Sequence, residues 1–349
     1  MKNLSLIKSK IYTKYLFYKR KATYRLSGKT AKEIAFSMSK NEADALEICV
    51  KVGCGMFCDY CPQNKYIENY KSRYPNDEKA LTEETFKSVL RNVPNSVYIK
   101  WTGFTEPLDC RVFPLLSKYL KNNGYKQQIS TTLHGYQESV LWFRDNIEVF
   151  KEITLHLPDD SRLMKSRVDD AYLSNLDQLL SKASQLWPGE DRLVVLLIGN
   201  DFHEDIKRLV YSRVANGSLN ESQIYRAKTL NTRNSAIDVD KLGVSQVSTR
   251  PFVQEDSGHK ENYYCAYRRL NAGVLLPNGQ VTLCCQDYNL EFILGDLKTD
   301  SMETLYTRIE TSPELSQKFL AGEFFPCTKC EHYKPLSSSF SGHLRPKKS

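Results

Sequence analysis

At 349 residues, 41% hydrophobic and 26% charged, the chain has a globular composition and room for two domains or one large domain with an appended piece. Its 21 Tyr, 15 Phe and 3 Trp exclude a disordered scaffold. The formal charge of +8 is not that of a nucleic-acid enzyme, because residues 1–40 carry eleven Lys and Arg against Glu33 alone and the remainder is slightly acidic.

That basic arm, residues 1–45, mixes Leu4, Leu6, Ile7, Ile11, Tyr15, Leu16 and Phe17 with its lysines. It reads as a solvated helix packed on the body; the alternative is a contact with a membrane surface or an acidic partner. Lysines break every apolar run near the N-terminus before it reaches signal-peptide or transmembrane length, so a cytoplasmic protein is expected. Ten cysteines in a reducing compartment point to metal binding or catalysis, not to disulfides.

Along the body, short apolar runs predict buried strands at Glu47–Gly53, Ser96–Thr102, Gln127–Leu133, Glu152–Leu157 and Arg192–Ile198. Amphipathic helices are predicted between and after them, over Thr82–Val93, Arg111–Asn123, Tyr136–Asn146, Asp169–Leu186 and His203–Ala215. A sixth strand is expected near Tyr225–Leu230. Repeated strand–helix alternation predicts an α/β fold with a parallel sheet and right-handed crossovers, either a partial barrel or a doubly wound sheet spanning residues 46–230. Residues 231–262 are polar and irregular, a linker or lid. A smaller unit, residues 263–335, follows: a hairpin around Pro277-Asn278-Gly279, a helix over Met302–Leu320, and Cys327-Thr328-Lys329-Cys330. The Ser-rich tail, 336–349, is expected to be disordered.

Cys54, Cys58 and Cys61 form a C-x3-C-x2-C run in the loop leaving the first strand. A [4Fe–4S] cluster takes four thiolates, so three local cysteines leave one iron open to a small chelating molecule. Zinc completed by a distant His or Cys is the competing use of such a loop. The run Cys54-Gly55-Met56-Phe57-Cys58-Asp59-Tyr60-Cys61, with Tyr60 before the last cysteine, resembles the signature of the radical S-adenosylmethionine (radical SAM) superfamily. The resemblance implies a partial (β/α)6 barrel and S-adenosylmethionine on the open iron, with Tyr60 near its adenine. Trp101-Thr102-Gly103-Phe104-Thr105-Glu106-Pro107 is similar to the family's Gly-Gly-Glu-Pro segment, with one glycine replaced. It implies cofactor contacts at Gly103 and Thr105 and a Glu106 carboxylate facing the amino group. Thr132 is a further cofactor-binding candidate and His156 a catalytic one, because both fall at carboxyl ends of predicted strands.

Cys265, then Gly279 and Cys284 with the spacing C-x13-G-x4-C, then Cys327-x2-Cys330, resemble the shortened SPASM motif called twitch. The resemblance implies a small hairpin-plus-helix domain in which Cys265, Cys284, Cys327 and Cys330 hold one auxiliary [4Fe–4S] cluster; the same four suit tetrahedral zinc. Cys285 beside them is a candidate alternate ligand, a catalytic hydrogen-atom donor or a packed residue. Together these features imply a radical oxidoreductase acting on a small polar molecule, sugar-like or aminocyclitol-like. Two-electron dehydrogenation would use the auxiliary cluster, and flavodoxin or ferredoxin would serve as electron donor. Epimerisation with a cysteine donor and peptide maturation are the alternatives.

Overall fold

The computed structural model describes residues 37–227, 229–230, 248–249, 263–265, 270–313, 330 and 333–335. The predicted N-terminal helix, most of the linker, Cys327 and the tail lie outside the described residues.

Six strands run in chain order through one sheet: β1 (Lys40–Ile48), β2 (Tyr98–Trp101), β3 (Lys126–Thr131), β4 (Phe150–Leu157), β5 (Leu193–Leu197) and β6 (Ile224–Arg226). Every neighbouring pair among them is parallel. This is the predicted barrel-type α/β arrangement. The intervening helices are α1 (Gln63–Arg73), α2 (Glu83–Leu90), α3 (Phe113–Asn122), α4 (Gln137–Asp145) and α5 (Asp170–Leu186), and α6 (Glu204–Ala215) precedes β6. Thr82 caps α2 by accepting from Thr85 N at 3.1 Å, and Asp169 caps α5 by accepting from Tyr172 N at 2.9 Å.

Between sheet and helices lies an apolar layer that includes Trp101, Phe86, Phe113, Phe143 and Phe150. A polar cluster within it is satisfied internally. Trp101 Nε1 and Ser117 Oγ both donate to Gln127 Oε1, at 2.8 and 2.7 Å, and Gln127 Nε2 donates to Ser117 O at 2.9 Å. β5 departs from the expectation of equal cover on both faces. Leu193, Val195 and Leu197 are buried under helices, whereas Val194 and Leu196 are only half-buried and face the barrel interior.

The main departure concerns the C-terminal part. Its hairpin, β10 (Leu270–Leu275) and β11 (Gln280–Thr282), forms as predicted, with Gly279 at φ +91° in the turn. It is continuous with the barrel, because β10 pairs parallel with β1, from Ala45 opposite Ala272 to Ile48 opposite Leu275. With β12 (Ile293–Asp296) on its far side, the sheet has nine strands in the order β12-β11-β10-β1-β2-β3-β4-β5-β6. The pairing with β10 also extends β1 back to Lys40, before the predicted start. Helix α7 (Met302–Thr311) locks the junction: Tyr306 Oη donates to Ala45 O at 2.8 Å and accepts from Gly273 N at 3.3 Å. The helix breaks at Ser312, which Pro313 holds in extended backbone at φ −81°, ψ 107°; residues 314–320 of the predicted helix lie outside the described residues. Two small pairs complete the described residues: β7 (Thr229–Leu230) with β8 (Ser248–Thr249), and β9 (Tyr263–Cys265) with β13 (Tyr333–Pro335). No described helix is long and apolar enough to cross a membrane.

Candidate active site

The carboxyl ends of β1 to β5 surround a cavity of about 270 Å³. Parallel strands end there together, so loop residues from each β/α unit converge on one space. Nine residues singled out from the sequence line it: Cys54, Cys58, Cys61, Tyr60, Gly103, Thr105, Glu106, Thr132 and His156.

The cysteine loop is held from outside by the segment after β4. Asp59 N donates to Leu163 O at 2.8 Å, Lys165 N donates to Met56 O at 3.1 Å, and Lys165 Nζ meets Asp59 Oδ2 at 2.6 Å. Asp159, buried at the end of β4, shapes that segment by accepting from Leu163 N and Met164 N at 3.0 and 3.1 Å. On the other side Gly55 N donates to Asp109 Oδ2 at 3.2 Å. Burial pushes the thiols of Cys54 and Cys58 up to about 12, so in the metal-free protein both are protonated, and metal loading must displace those protons. The buried Tyr60 phenol hydrogen-bonds Cys58 and stands 3.2 Å from His156 Nε2.

Glu106 is 4% exposed, and protein donors surround its carboxylate. Thr131 Oγ1 and Leu108 N donate to Oε1 at 2.5 and 3.1 Å; Thr132 N and Thr132 Oγ1 donate to Oε2, both at 2.7 Å. Burial raises its pKa, and these four bonds oppose the rise by favouring the ionised form. A carboxylate offers about four lone-pair sites, so Glu106 is already saturated. Gly103, at φ +70°, sits against β1, where a Cβ would come 3.1 Å from Ile48 O. Phe104, which replaces a glycine of the family segment, turns its ring away into a buried aromatic group with Tyr66 and Tyr288, each at a centroid distance of 4.7 Å.

Sequence reading did not anticipate Gln63 and Tyr288 in the cavity wall. Gln63 opens α1, a helix whose buried residues are Gln63, Tyr66 and Tyr70. The four-residue spacing of Tyr66, Tyr70 and Tyr74 was the available signal. Tyr288 comes from the loop after β11, and nothing local marks it.

The described C-terminal cysteines lie on separate pieces of chain. Cys265 ends β9, with its N–H donating to Ser39 Oγ at 2.8 Å; Cys284 is buried after β11; Cys330 is buried three residues before β13, whose Tyr333 pairs with Cys265. Cys285 is half-buried against the group containing Cys49, Tyr66 and Phe104 and is not among the residues lining the cavity. Among the described residues, no three His, Cys, Asp or Glu side chains converge to hold a single metal ion. The donor set of the cavity nevertheless fits an iron–sulfur cluster with one open iron: three thiols on one wall and hydroxyl and amide groups opposite.

No family model matches the chain, and no curated protein matches it. Solved structures do. The structure of Streptococcus suis SuiB bound to precursor peptide SuiA is similar at a TM-score of 0.50 and 14% identity, over 82% of this chain and 70% of that one. The chain shares that structure's fold, an α/β partial barrel. The structure of BtrN in complex with AdoMet and 2-DOIA matches over 85% of this chain and 95% of that one, with a TM-score of 0.43 and 14% identity. That of anSMEcpe with bound AdoMet matches over 75% and 80%, with a TM-score of 0.40 and 15% identity.

Proposed function

We propose that the chain is a radical SAM oxidoreductase that removes two electrons from a small polar substrate of sugar or aminocyclitol type. The observation that carries the reading is the assembly of Cys54, Cys58 and Cys61 with Thr105, Glu106 and Thr132 around one strand-end cavity in an α/β partial barrel. Cys54, Cys58 and Cys61 hold a [4Fe–4S] cluster. Bound there with S-adenosylmethionine, such a cluster would supply one-electron reduction of the sulfonium and, through it, radical removal of a hydrogen atom from carbon.

The chain's own residues prepare that chemistry. Glu106 fixes Thr131, Thr132 and Leu108 in one arrangement, so the hydroxyl-bearing ends of β2 and β3 are preorganised. Leu196 and Ile198 give the cavity an apolar wall that keeps water from a reactive carbon radical. Tyr60 and His156 present a hydrogen-bonded pair on the same cavity. Cys265, Cys284, Cys327 and Cys330 would hold the auxiliary cluster, which would serve there as acceptor of the second electron, and flavodoxin or ferredoxin would be the external donor. Epimerisation is the weaker reading, since it needs a hydrogen donor facing the substrate and neither Cys285 nor Cys110 lines the cavity. Peptide maturation is favoured by one finding, the likeness to SuiB in its complex with a precursor peptide.

Iron and sulfide analysis of anaerobically reconstituted protein tests the proposal. About eight irons are expected, falling to about four in the Cys54/Cys58/Cys61→Ala triple variant, with reductive cleavage of S-adenosylmethionine abolished. An unchanged iron count would sink the cluster assignment. Turnover in deuterated water separates the reactions, because deuterium at carbon in an unoxidised product means epimerisation.

A further inference from the structure

An iron–sulfur cluster takes its reduction potential from its surroundings: the net charge nearby, hydrogen bonds to its sulfurs and exposure to solvent. Among the described residues, two ion pairs tie down the loop of Cys54, Cys58 and Cys61. Lys165 with Asp59 lies on the outside, its side chains 48% and 40% exposed, where solvent screens both charges. Lys51 with Asp109 is more sheltered. Lys51 Nζ stands 2.6 Å from Asp109 Oδ2, and the two side chains are only 27% and 16% exposed. Charges in such a place are screened much less.

Asp109 Oδ2 also accepts from Gly55 N at 3.2 Å. Gly55 follows Cys54 directly, so the carboxylate stands against the ligand-bearing turn itself. Glycine permits this approach, because a Cβ at position 55 would lie 3.3 Å from the same oxygen. The contact has two electrostatic consequences. A negative charge beside the turn opposes the arrival of an electron there. The Gly55 N–H is committed to Asp109, which leaves one donor fewer for sulfur. Both lower the potential of a cluster held by this loop, and a lower potential makes it a stronger one-electron reductant. Lys51, on the same oxygen, opposes the charge effect.

We infer that Asp109 is a positioning residue that holds the cluster of Cys54, Cys58 and Cys61 at a low reduction potential, with Lys51 as its counterweight. The inference rests on the functional reading above. Neither residue lines the cavity, so both act through the loop and its charge environment and not by touching a ligand. The pair lies outside both family-like segments: Lys51 precedes the cysteine run and Asp109 follows Glu106-Pro107.

Redox titration of the anaerobically reconstituted full chain, followed by electron paramagnetic resonance without S-adenosylmethionine, tests it. The signal to follow is the one that the Cys54/Cys58/Cys61→Ala variant lacks. Asp109→Asn keeps an acceptor for Gly55 N and removes the charge. Its midpoint is expected to rise by about 59 mV, a tenfold change in a one-electron equilibrium. Asp109→Ala also frees the Gly55 N–H and raises the midpoint at least as far. Lys51→Met removes the opposing charge and moves the midpoint down. A merely structural role, in which each substitution loosens the loop, would move all three variants the same way. Iron content is measured on each variant, and Lys51→Met decides the sign by itself should the Asp109 variants fail to take up iron. An Asp109→Asn equilibrium within about twofold of wild type overturns the inference, and so does a rise in Lys51→Met. If the Cys54/Cys58/Cys61→Ala variant lacks no signal that wild type shows, the functional reading fails instead.

Discussion

The two groups of cysteines are built in different ways. Cys54, Cys58 and Cys61 lie on a single loop, and two segments distant in sequence hold that loop: the stretch after β4 through Leu163 and Lys165, and Asp109 after β2. Cys265, Cys284 and Cys330 lie on separate pieces of chain, and what relates them is strand pairing, β9 with β13 and β10 with β11. In the first group the loop supplies the ligands and the fold supplies rigidity. In the second the fold must supply both. Each region also contains one buried carboxylate that accepts from several donors, Glu106 at the cavity and Asp287 after Cys284, and these allow the contrast to be tested.

Glu106→Ala should have the larger effect. It strands two backbone N–H groups and two hydroxyls at the ends of β2 and β3. At about 1–3 kcal/mol for each unsatisfied buried group, and with partial relaxation, a loss of about 3–5 kcal/mol in denaturant unfolding is expected. S-adenosylmethionine binding should be lost with it. A loss below about 1 kcal/mol would mean that the strand ends do not depend on this clamp.

Asp287→Ala should cost less, about 2–3 kcal/mol, because fewer donors are stranded. Thr282 Oγ1, Glu291 N and Phe292 N donate to its carboxylate at 2.6, 3.0 and 2.9 Å, which closes the loop that begins at Cys284. The informative reading is iron: the variant should lose the auxiliary share, about four irons, and keep the radical SAM share with its cleavage of S-adenosylmethionine. Loss of both shares together would show that the two regions are one cooperative unit.

The sequence discloses most of the barrel, and the reasons are physical. Strands β2, β4 and β5 overlap apolar runs bounded by turns, and their helices carry apolar faces with capping residues such as Thr82 and Asp169. The cavity's cysteines, Thr105, Glu106 and Thr132 are legible because parallel strands present their carboxyl ends together. α1 escapes because its buried face consists of Gln63, Tyr66 and Tyr70, a pattern that hydrophobic periodicity scores as polar. The seating of β10 beside β1 escapes for a different reason. Parallel pairing of Ala45 with Ala272 is a long-range contact, and nothing in either segment names its partner. Tyr288 reaches the cavity only through that seating, so it is invisible for the same cause.

Tyr288 is where the two regions meet, and it gives the smallest and most selective test. Its ring packs 4.7 Å from that of Phe104, and both residues line the cavity. Tyr288→Leu keeps an apolar filler and removes the ring contact, so stability should fall by only about 1 kcal/mol, the worth of an aromatic pair beyond its area. Its effect on binding depends on how independent the regions are. If the C-terminal loop merely closes the cavity, affinity for S-adenosylmethionine stays within about threefold and both iron shares remain. If the loop helps to hold Phe104, the displaced Phe104 carbonyl releases Gln63 Nε2, and affinity for S-adenosylmethionine falls by more than about threefold along with the ring contact. The second outcome is expected, because Phe104 is clasped from both sides, by Tyr66 of α1 and by Tyr288, and removing either ring leaves it a cavity to move into.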